Sequence, residues 1–114
     1  NTVSEAERSS LLASVRVLAS ASVIEAFGIT TLEAWAHGTP VVVADTGVSR
    51  SIVRHGVDGL LADRSPQGMA EQIIRLLRDP AMAAALGRAG RARSESEFTW
   101  QRAAGALVDL IEAL

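Results

Sequence analysis

Residues 25–42 read EAFGITTLEAWAHGTPVV, and this stretch decides the fold of the chain. Its glycine loop leads into Thr30-Thr31-Leu32-Glu33, which has the Ser/Thr-x-x-Glu spacing of a helix start. Gly38 is typical of a helix end. Pro40 then precedes an apolar run through residue 44, which is typical of a buried parallel strand. A helix that leads directly into such a strand predicts a unit of an α/β fold.

Two further strands are predicted on either side of this stretch. Val15–Ala19 alternates and contains β-branched residues, which indicates a strand, and Gly59–Ala62 is a second short apolar run. Ser4 and Glu7 have the spacing of a capping box, which predicts a first helix through about residues 10–12. Residues 50–54 are predicted to form one helical turn.

The remainder of the chain is predicted to be helical. One helix starts at Asp63 or Ser65, because a proline follows in its first turn, where proline is tolerated. Asp79-Pro80 ends it, and a second helix over residues 81–94 is expected to be weakened by its glycines, Gly87 and Gly90. Thr99 is the expected N-cap of a last helix, whose apolar stripe consists of Ala103, Ala106, Leu107, Leu110 and Ile111.

Together these elements predict an incomplete, Rossmann-like, doubly wound α/β domain with a parallel sheet. Residues 1–114 supply three strands, whereas such sheets usually have six, so the other strands are expected to precede residue 1. The chain begins with Asn rather than Met, which suggests an excised or processed piece. An uncovered sheet edge would pair readily with another chain, and we therefore expect self-association as a homo-oligomer.

Composition excludes several classes of function. Of the 114 residues, 48% are apolar and 21% are charged, which is ordinary for a globular domain. The net charge of −2 argues against a nucleic-acid binder. Cysteine is absent and there are only two histidines, so no metal site of thiolates or clustered histidines is expected. No apolar run approaches the ~18 residues of a membrane span.

The loop and the helix start predict an anion site. The free N–H groups of residues 28–32 and the helix dipole attract a phosphate at the carboxyl end of a parallel strand. Glu25 precedes this site and Glu33 lies in the first turn of the helix. Two carboxylates cannot bind the phosphate itself, but they can accept hydrogen bonds from hydroxyls on either side of it. A nucleotide-sugar carries such hydroxyls on both sides of its diphosphate.

Each of these residues also has a simpler interpretation. Glu33 could serve only the capping box with Thr30, and Glu25 could be an ordinary loop acid. His37 fits a helix end and His55 fits a turn. The basic run of Arg88, Arg91 and Arg93 fits a solvated helix face. Trp100 fits the core or an inter-domain anchor.

The combination nevertheless resembles the Glu-x7-Glu motif of retaining glycosyltransferases of the GT-B fold, family four in the sequence classification. The residues that match are Glu25, Phe27-Gly28-Ile29, Leu32-Glu33-Ala34, Gly38 and Pro40-Val41-Val42. The resemblance continues through Asp58-Gly59-Leu60-Leu61, Leu76-Leu77-Arg78-Asp79-Pro80 and Phe98-Thr99-Trp100, so it covers practically the whole chain.

The resemblance implies a role for each matching site residue. Glu25 would contact the hydroxyls of the donor sugar and act in catalysis, and Glu33 would hold the ribose hydroxyls. The backbone groups of Phe27, Gly28 and Ile29 would line the donor sugar and the diphosphate. The N–H groups of Thr30 and Thr31 would meet the diphosphate at the helix start. The donor would be a UDP- or GDP-sugar, with no bound metal and no other cofactor.

The resemblance also implies what the chain lacks. It corresponds to the C-terminal half of a donor domain, without the acceptor-binding N-terminal domain and without the Arg and Lys that usually neutralise the diphosphate. Residues 45–51 contain one glycine, Gly47, but lack the second glycine and the glutamate of the usual G-G-x-x-E loop. We expect a cytoplasmic protein, and peripheral membrane association of the parent is left open. Two alternatives remain: a non-catalytic nucleotide- or phosphate-binding module, and an inactive fragment that self-associates.

Overall fold

The computed structural model of the chain describes residues 3–22 and 29–114. Its sheet has three parallel strands in the order β1-β2-β3, which confirms the predicted parallel α/β fold. The elements in chain order are α1 (Glu5–Ser14), β1 (Leu18–Ser20), α2 (Ile29–Ala36), β2 (Val41–Ala44), α3 (Gly47–Ile52), β3 (Leu60–Ala62), α4 (Pro66–Arg78), α5 (Pro80–Glu97) and α6 (Trp100–Glu112).

The central strand β2 is buried on both faces of the sheet. Val41 and Val43 belong to one apolar cluster, which α1, α2 and α3 cover. Val42 belongs to the other, where Leu76 of α4 and Leu86 of α5 pack. Successive side chains of a strand point to opposite faces, so a continuous valine run suits a strand with helices on both sides. This is the doubly wound arrangement that the sequence predicts.

The first helix is longer than predicted and the first strand starts later. Ser4 and Glu7 form the predicted capping box. The helix continues to Ser14, and the N–H of Val15 donates to the Leu11 carbonyl at 3.0 Å. Because this bond closes the end of α1, Val15 belongs to the helix cap, and β1 begins only at Leu18.

The helix after β2 starts earlier than predicted. The sequence predicts one turn over residues 50–54, but α3 covers Gly47–Ile52. Thr46 and Ser49 cap each other's backbone N–H groups. The Ser49 hydroxyl lies 2.6 Å from the Ala44 carbonyl, to which it donates. The cap therefore joins α3 directly to the end of β2.

The two following helices begin as their sequences predict. Of the two expected caps, Ser65 is the one that starts α4, and its hydroxyl accepts from the Gly68 N–H at 3.0 Å. Asp79 ends α4 and caps α5, and Pro80 occupies the first turn of α5. The helix break at Asp79-Pro80 is thus confirmed, although α5 extends beyond residue 94 to Glu97.

The glycines of α5 permit a close crossing with α2. A Cβ on Gly90 would lie 2.2 Å from the Trp35 ring, and a Cβ on Gly87 would lie 2.1 Å from the carbonyl oxygen of Gly38. Gly38 has φ +70°, which only glycine adopts readily, so it ends α2 as predicted. The prediction that Gly87 and Gly90 merely weaken the helix is therefore incomplete, because both are needed for packing.

A buried ion pair joins α5 to the loop before β3. The Asp58 and Arg93 side chains are 2% and 12% exposed, and Arg93 Nη1 donates to Asp58 Oδ2 at 2.9 Å. The other Asp58 oxygen accepts from the Arg54 N–H at 2.7 Å. The indole N–H of Trp35 donates to the Asp58 carbonyl at 3.0 Å. Arg93 also lies 5.6 Å from the Trp35 ring centroid, within reach of a cation–π interaction.

The sequence suggested that Arg93 lies on a solvated helix face, and the structure shows that this prediction is wrong. Burial opposes its charge, but hydrogen bonds to Glu97 and Asp58 outweigh that cost and raise the pKa of Arg93. Its neighbours Arg88 and Arg91 are exposed, as predicted. The sequence places all three arginines in one run and does not distinguish the inward-facing member.

The last helix leaves its apolar side uncovered. Trp100 is 88% exposed, which excludes the core position considered for it, and the stripe residues Leu107, Leu110 and Ile111 are all exposed. At the sheet, β1 has β2 as its one partner within the described residues. No described helix combines the length and apolar character required to cross a membrane.

Replacing Gly90 by Ala should destabilise the domain. The new methyl group would collide with the Trp35 ring, and overpacking of this kind costs about 1–3 kcal/mol. Gly105→Ala is the matched control, because a Cβ there meets no atom within 4 Å. The control should be neutral or more stable by up to about 1 kcal/mol, since Ala favours helices. Urea unfolding of both variants measures the difference, and equal midpoints would contradict the close crossing.

Replacing Arg93 by Ala should destabilise the fold by about 3–5 kcal/mol, because Asp58 would remain buried without its charge partner. Arg91→Ala removes an arginine two residues away that is 59% exposed and pairs with Glu95. Such exposed pairs contribute about 0.5 kcal/mol or less. Thermal unfolding of the two variants should therefore separate them clearly. Similar melting temperatures would show that the buried pair contributes little.

Candidate functional site

A cleft opens at the carboxyl ends of β1 and β2, between the first residues of α2 and α3. Its apolar base includes Val43 and Val53. We call it the hydroxyl cleft because six of the residues that line it carry hydroxyl groups: Ser20, Ser22, Thr30, Thr31, Thr46 and Ser49. In open α/β sheets, ligands bind at this edge of the strands. Hydroxyl groups can both donate and accept hydrogen bonds, although those of Thr46 and Ser49 already form the cap of α3.

The structure places some of the predicted site residues at this cleft. Ile29 is the first residue of α2 and is 59% exposed, Thr30 is exposed at the rim, and Thr31 is buried. Glu25, Phe27 and Gly28 lie outside the described residues, so their predicted roles stay predictions. The first N–H groups of a helix have no intrahelical acceptor and carry partial positive charge. The start of α2 can therefore attract an anion at the cleft.

Glu33 does not act in the capping box that its spacing suggested. Because α2 begins at Ile29, Thr30 is inside the helix and is not its N-cap. The Glu33 carboxylate instead accepts a hydrogen bond from Arg8 of α1 through Oε2. This contact across 25 residues replaces the local bond predicted from the pattern. The simple capping interpretation of Glu33 is thus wrong.

A second ion pair lies beyond the end of β2. Arg50 Nε and Nη2 donate to the two carboxylate oxygens of Asp45 at 2.6 and 3.0 Å. The hydrogen bond from Arg50 is the main cause that holds the pKa of Asp45 below its ordinary value. In the sequence, residues 45–51 stand out only as a departure from a family pattern, and this ion pair is not predicted from them. Its sequence signal is an Asp and an Arg on either side of the Thr46 cap.

The two histidines show different surroundings. His37 is exposed in the turn after α2, as expected for a helix end. His55 Nδ1 accepts a hydrogen bond from the Leu61 N–H at 2.9 Å, which gives it a structural role beside β3. Within residues 3–22 and 29–114, no three His, Asp or Glu side chains are grouped to hold a metal ion.

Comparison with known proteins identifies the family. The family described as Glycosyl transferases group 1 matches residues 2–93. The D-inositol 3-phosphate glycosyltransferase of Thermobispora bispora is 42% identical over 87 residues, which are 75% of this chain and 20% of that protein. A GDP-mannose-dependent alpha-(1-6)-phosphatidylinositol monomannoside mannosyltransferase of Mycobacterium tuberculosis is 36% identical over 89 residues, or 77% of this chain and 23% of the relative.

Solved structures share the fold. Sucrose-phosphate synthase from Thermosynechococcus elongatus superposes with a TM-score of 0.83 at 33% identity, over 90% of this chain and 26% of that one. HepE of Anabaena in complex with UDP-glucose gives a TM-score of 0.84 at 27% identity, over 91% of this chain and 29% of that one. The chain thus spans only about a fifth to a quarter of the curated relatives. By its matched residues and its fold, the chain belongs to the group 1 glycosyltransferase family.

Proposed function

We propose that this chain forms the donor-binding part of a retaining glycosyltransferase, which transfers a sugar from a UDP- or GDP-sugar to an acceptor. The observation that carries the proposal is the start of α2 at the hydroxyl cleft, with Glu25 and Glu33 on either side of it in sequence. HepE binds UDP-glucose and the mycobacterial relative is named for a GDP-mannose donor, and both support this class of ligand.

The diphosphate of the donor would bind at the first turn of α2. The N–H groups of Ile29, Thr30 and Thr31 point toward the start of the helix, where the dipole favours a negative group. Arg50 lies near the cleft, but Asp45 already neutralises it. Further cations for the diphosphate would come from other parts of the whole protein.

The two glutamates would divide the recognition of hydroxyl groups. Glu33 would accept hydrogen bonds from the ribose, and Glu25 would face the sugar, where positive charge develops as the glycosidic bond breaks. A carboxylate stabilises such charge most strongly where water is excluded. The proposal includes no metal ion, because the helix N-terminus and the expected cations would neutralise the diphosphate.

The isolated chain is proposed to be inactive, since an N-terminal acceptor domain would supply the other wall of the site. Two observations favour self-association of this isolated piece as a second candidate behaviour. The apolar side chains of α6 are exposed, and β1 has β2 as its partner on one side within the described sheet. Exposed strand edges and apolar surfaces both promote pairing with another copy.

Replacing Glu33 by Ala in the full-length protein should weaken nucleoside diphosphate binding by about tenfold or more, because hydrogen bonds from hydroxyls to a charged group are lost. Calorimetric titration with UDP and GDP measures this effect. Glu71→Ala, at an exposed position of α4, is the matched control and should bind normally. An unchanged dissociation constant for a folded Glu33→Ala variant would remove Glu33 from the proposed donor site.

Replacing Glu25 by Gln should mainly affect turnover. The loss of a charge that faces the reacting sugar should lower kcat by about 100-fold, by comparison with other preorganised groups that stabilise transition-state charge. Binding of free UDP or GDP should change little, because these ligands lack the sugar. Steady-state kinetics with the nucleotide-sugar and calorimetry with the nucleotide separate the two effects. Equal losses in both would place Glu25 on the nucleotide instead.

A further inference from the structure

Arg8 makes a contact that the family motif does not explain. It lies on α1, outside the Glu-x7-Glu stretch, and its Nη2 donates to Oε2 of Glu33. The two side chains are 42% and 34% exposed, so the pair lies at the surface and is not enclosed in the core. Surface ion pairs of this kind contribute little to stability. The contact therefore calls for an explanation other than holding the fold together.

The placement of Glu33 connects this pair to the hydroxyl cleft. Residues three apart are neighbours on a helix surface, so Glu33 lies beside Thr30, which lines the cleft, although Glu33 itself is not one of the lining residues. Arg8 approaches that side from α1, which packs beside α2. Arg8 donates to Oε2, and within residues 3–22 and 29–114 no other hydrogen bond reaches this carboxylate, so Oε1 can accept from a ligand.

We propose that Arg8 is a positioning residue for Glu33: it fixes the carboxylate in one orientation and leaves one oxygen for the hydroxyls of the ligand. The inference rests on the proposed role of Glu33 in binding the ribose of a nucleoside diphosphate. A free glutamate side chain loses rotamer freedom when it binds. Because Arg8 already restricts Glu33 in the unbound protein, less freedom remains to be lost on binding.

A contrasting role for Arg8 would be direct contact with the anionic ligand. Arginine commonly binds phosphate through two parallel hydrogen bonds. In the structure, however, Arg8 is engaged with Glu33, and a carboxylate is the partner that most reduces its attraction for a second anion. The observed pairing thus favours positioning, and the two roles give different results in a double-mutant cycle.

The test is a cycle of Arg8→Ala, Glu33→Ala and the double variant in the full-length protein, with UDP and GDP titrated by calorimetry. We expect Arg8→Ala to weaken binding by about two- to tenfold, the range expected for one side chain that must be ordered on binding. In the Glu33→Ala background, Arg8→Ala should have no further effect. Arg8→Lys should restore part of the affinity, because it returns a positive donor. Arg91→Ala removes an equally charged exposed residue and should bind normally.

The outcomes separate this inference from the proposed function. If Glu33→Ala weakens binding and Arg8→Ala does not, the positioning role is wrong and the ribose role of Glu33 stands. If Arg8→Ala weakens binding equally in both backgrounds, Arg8 acts without Glu33 and the inference is also wrong. If neither variant changes binding, both the inference and the role of Glu33 fail. Circular dichroism of each variant verifies that α1 and α2 remain folded.

Discussion

The buried pair of Asp58 and Arg93 is the constraint on which the arrangement of the helices depends. A charge of this kind is costly to bury unless it is paired and hydrogen-bonded. Here Asp58 has Arg93 on one carboxylate oxygen and the Arg54 N–H on the other, while its carbonyl accepts from Trp35. One acidic residue thereby joins α5, the segment before β3 and the end of α2. None of these elements can shift without leaving a buried polar group unpaired.

This constraint reaches the candidate site through α2. Trp35, fully buried near the end of that helix, packs against Gly90 of α5 and donates to Asp58, so the far end of α2 is fixed from two directions. The near end, with Thr30 and Thr31, is presented at the carboxyl edge of the sheet. A helix that is held at one end by packing and by hydrogen bonds can keep its N–H groups in place for an anion. Pre-ordered groups bind with a smaller entropic cost.

The sequence predicts the features that depend on neighbouring residues. The Ser4 cap, the break at Asp79-Pro80 and the parallel valine strand are local patterns, and each appears in the structure. The local Asp45–Arg50 pair is one contact that the sequence does not predict, and the others are long-range. Arg8 reaches Glu33 across 25 residues, and Arg93 reaches Asp58 across 35. Such pairs depend on how helices cross, and no spacing rule within one segment reveals them. The capping pattern at Thr30 is misleading for the same reason, because Glu33 binds Arg8 of another helix and not the backbone of Thr30.

The distribution of charge bears on the proposed donor site. Arg50 is paired with Asp45, Arg8 with Glu33, and Arg93 is committed to Asp58, so these three arginines are already neutralised by their own carboxylates. Beside the exposed Arg64, whose charge reaches Asp45, this edge offers an anion a helix N-terminus and hydroxyl groups, which orient an anion but balance its charge incompletely. The exposed apolar side of α6 and the uncovered edge of β1 are surfaces that another part of a protein would normally cover. A partner surface that packs on both would cover the apolar groups, and cations carried on it would balance the charge of a bound anion.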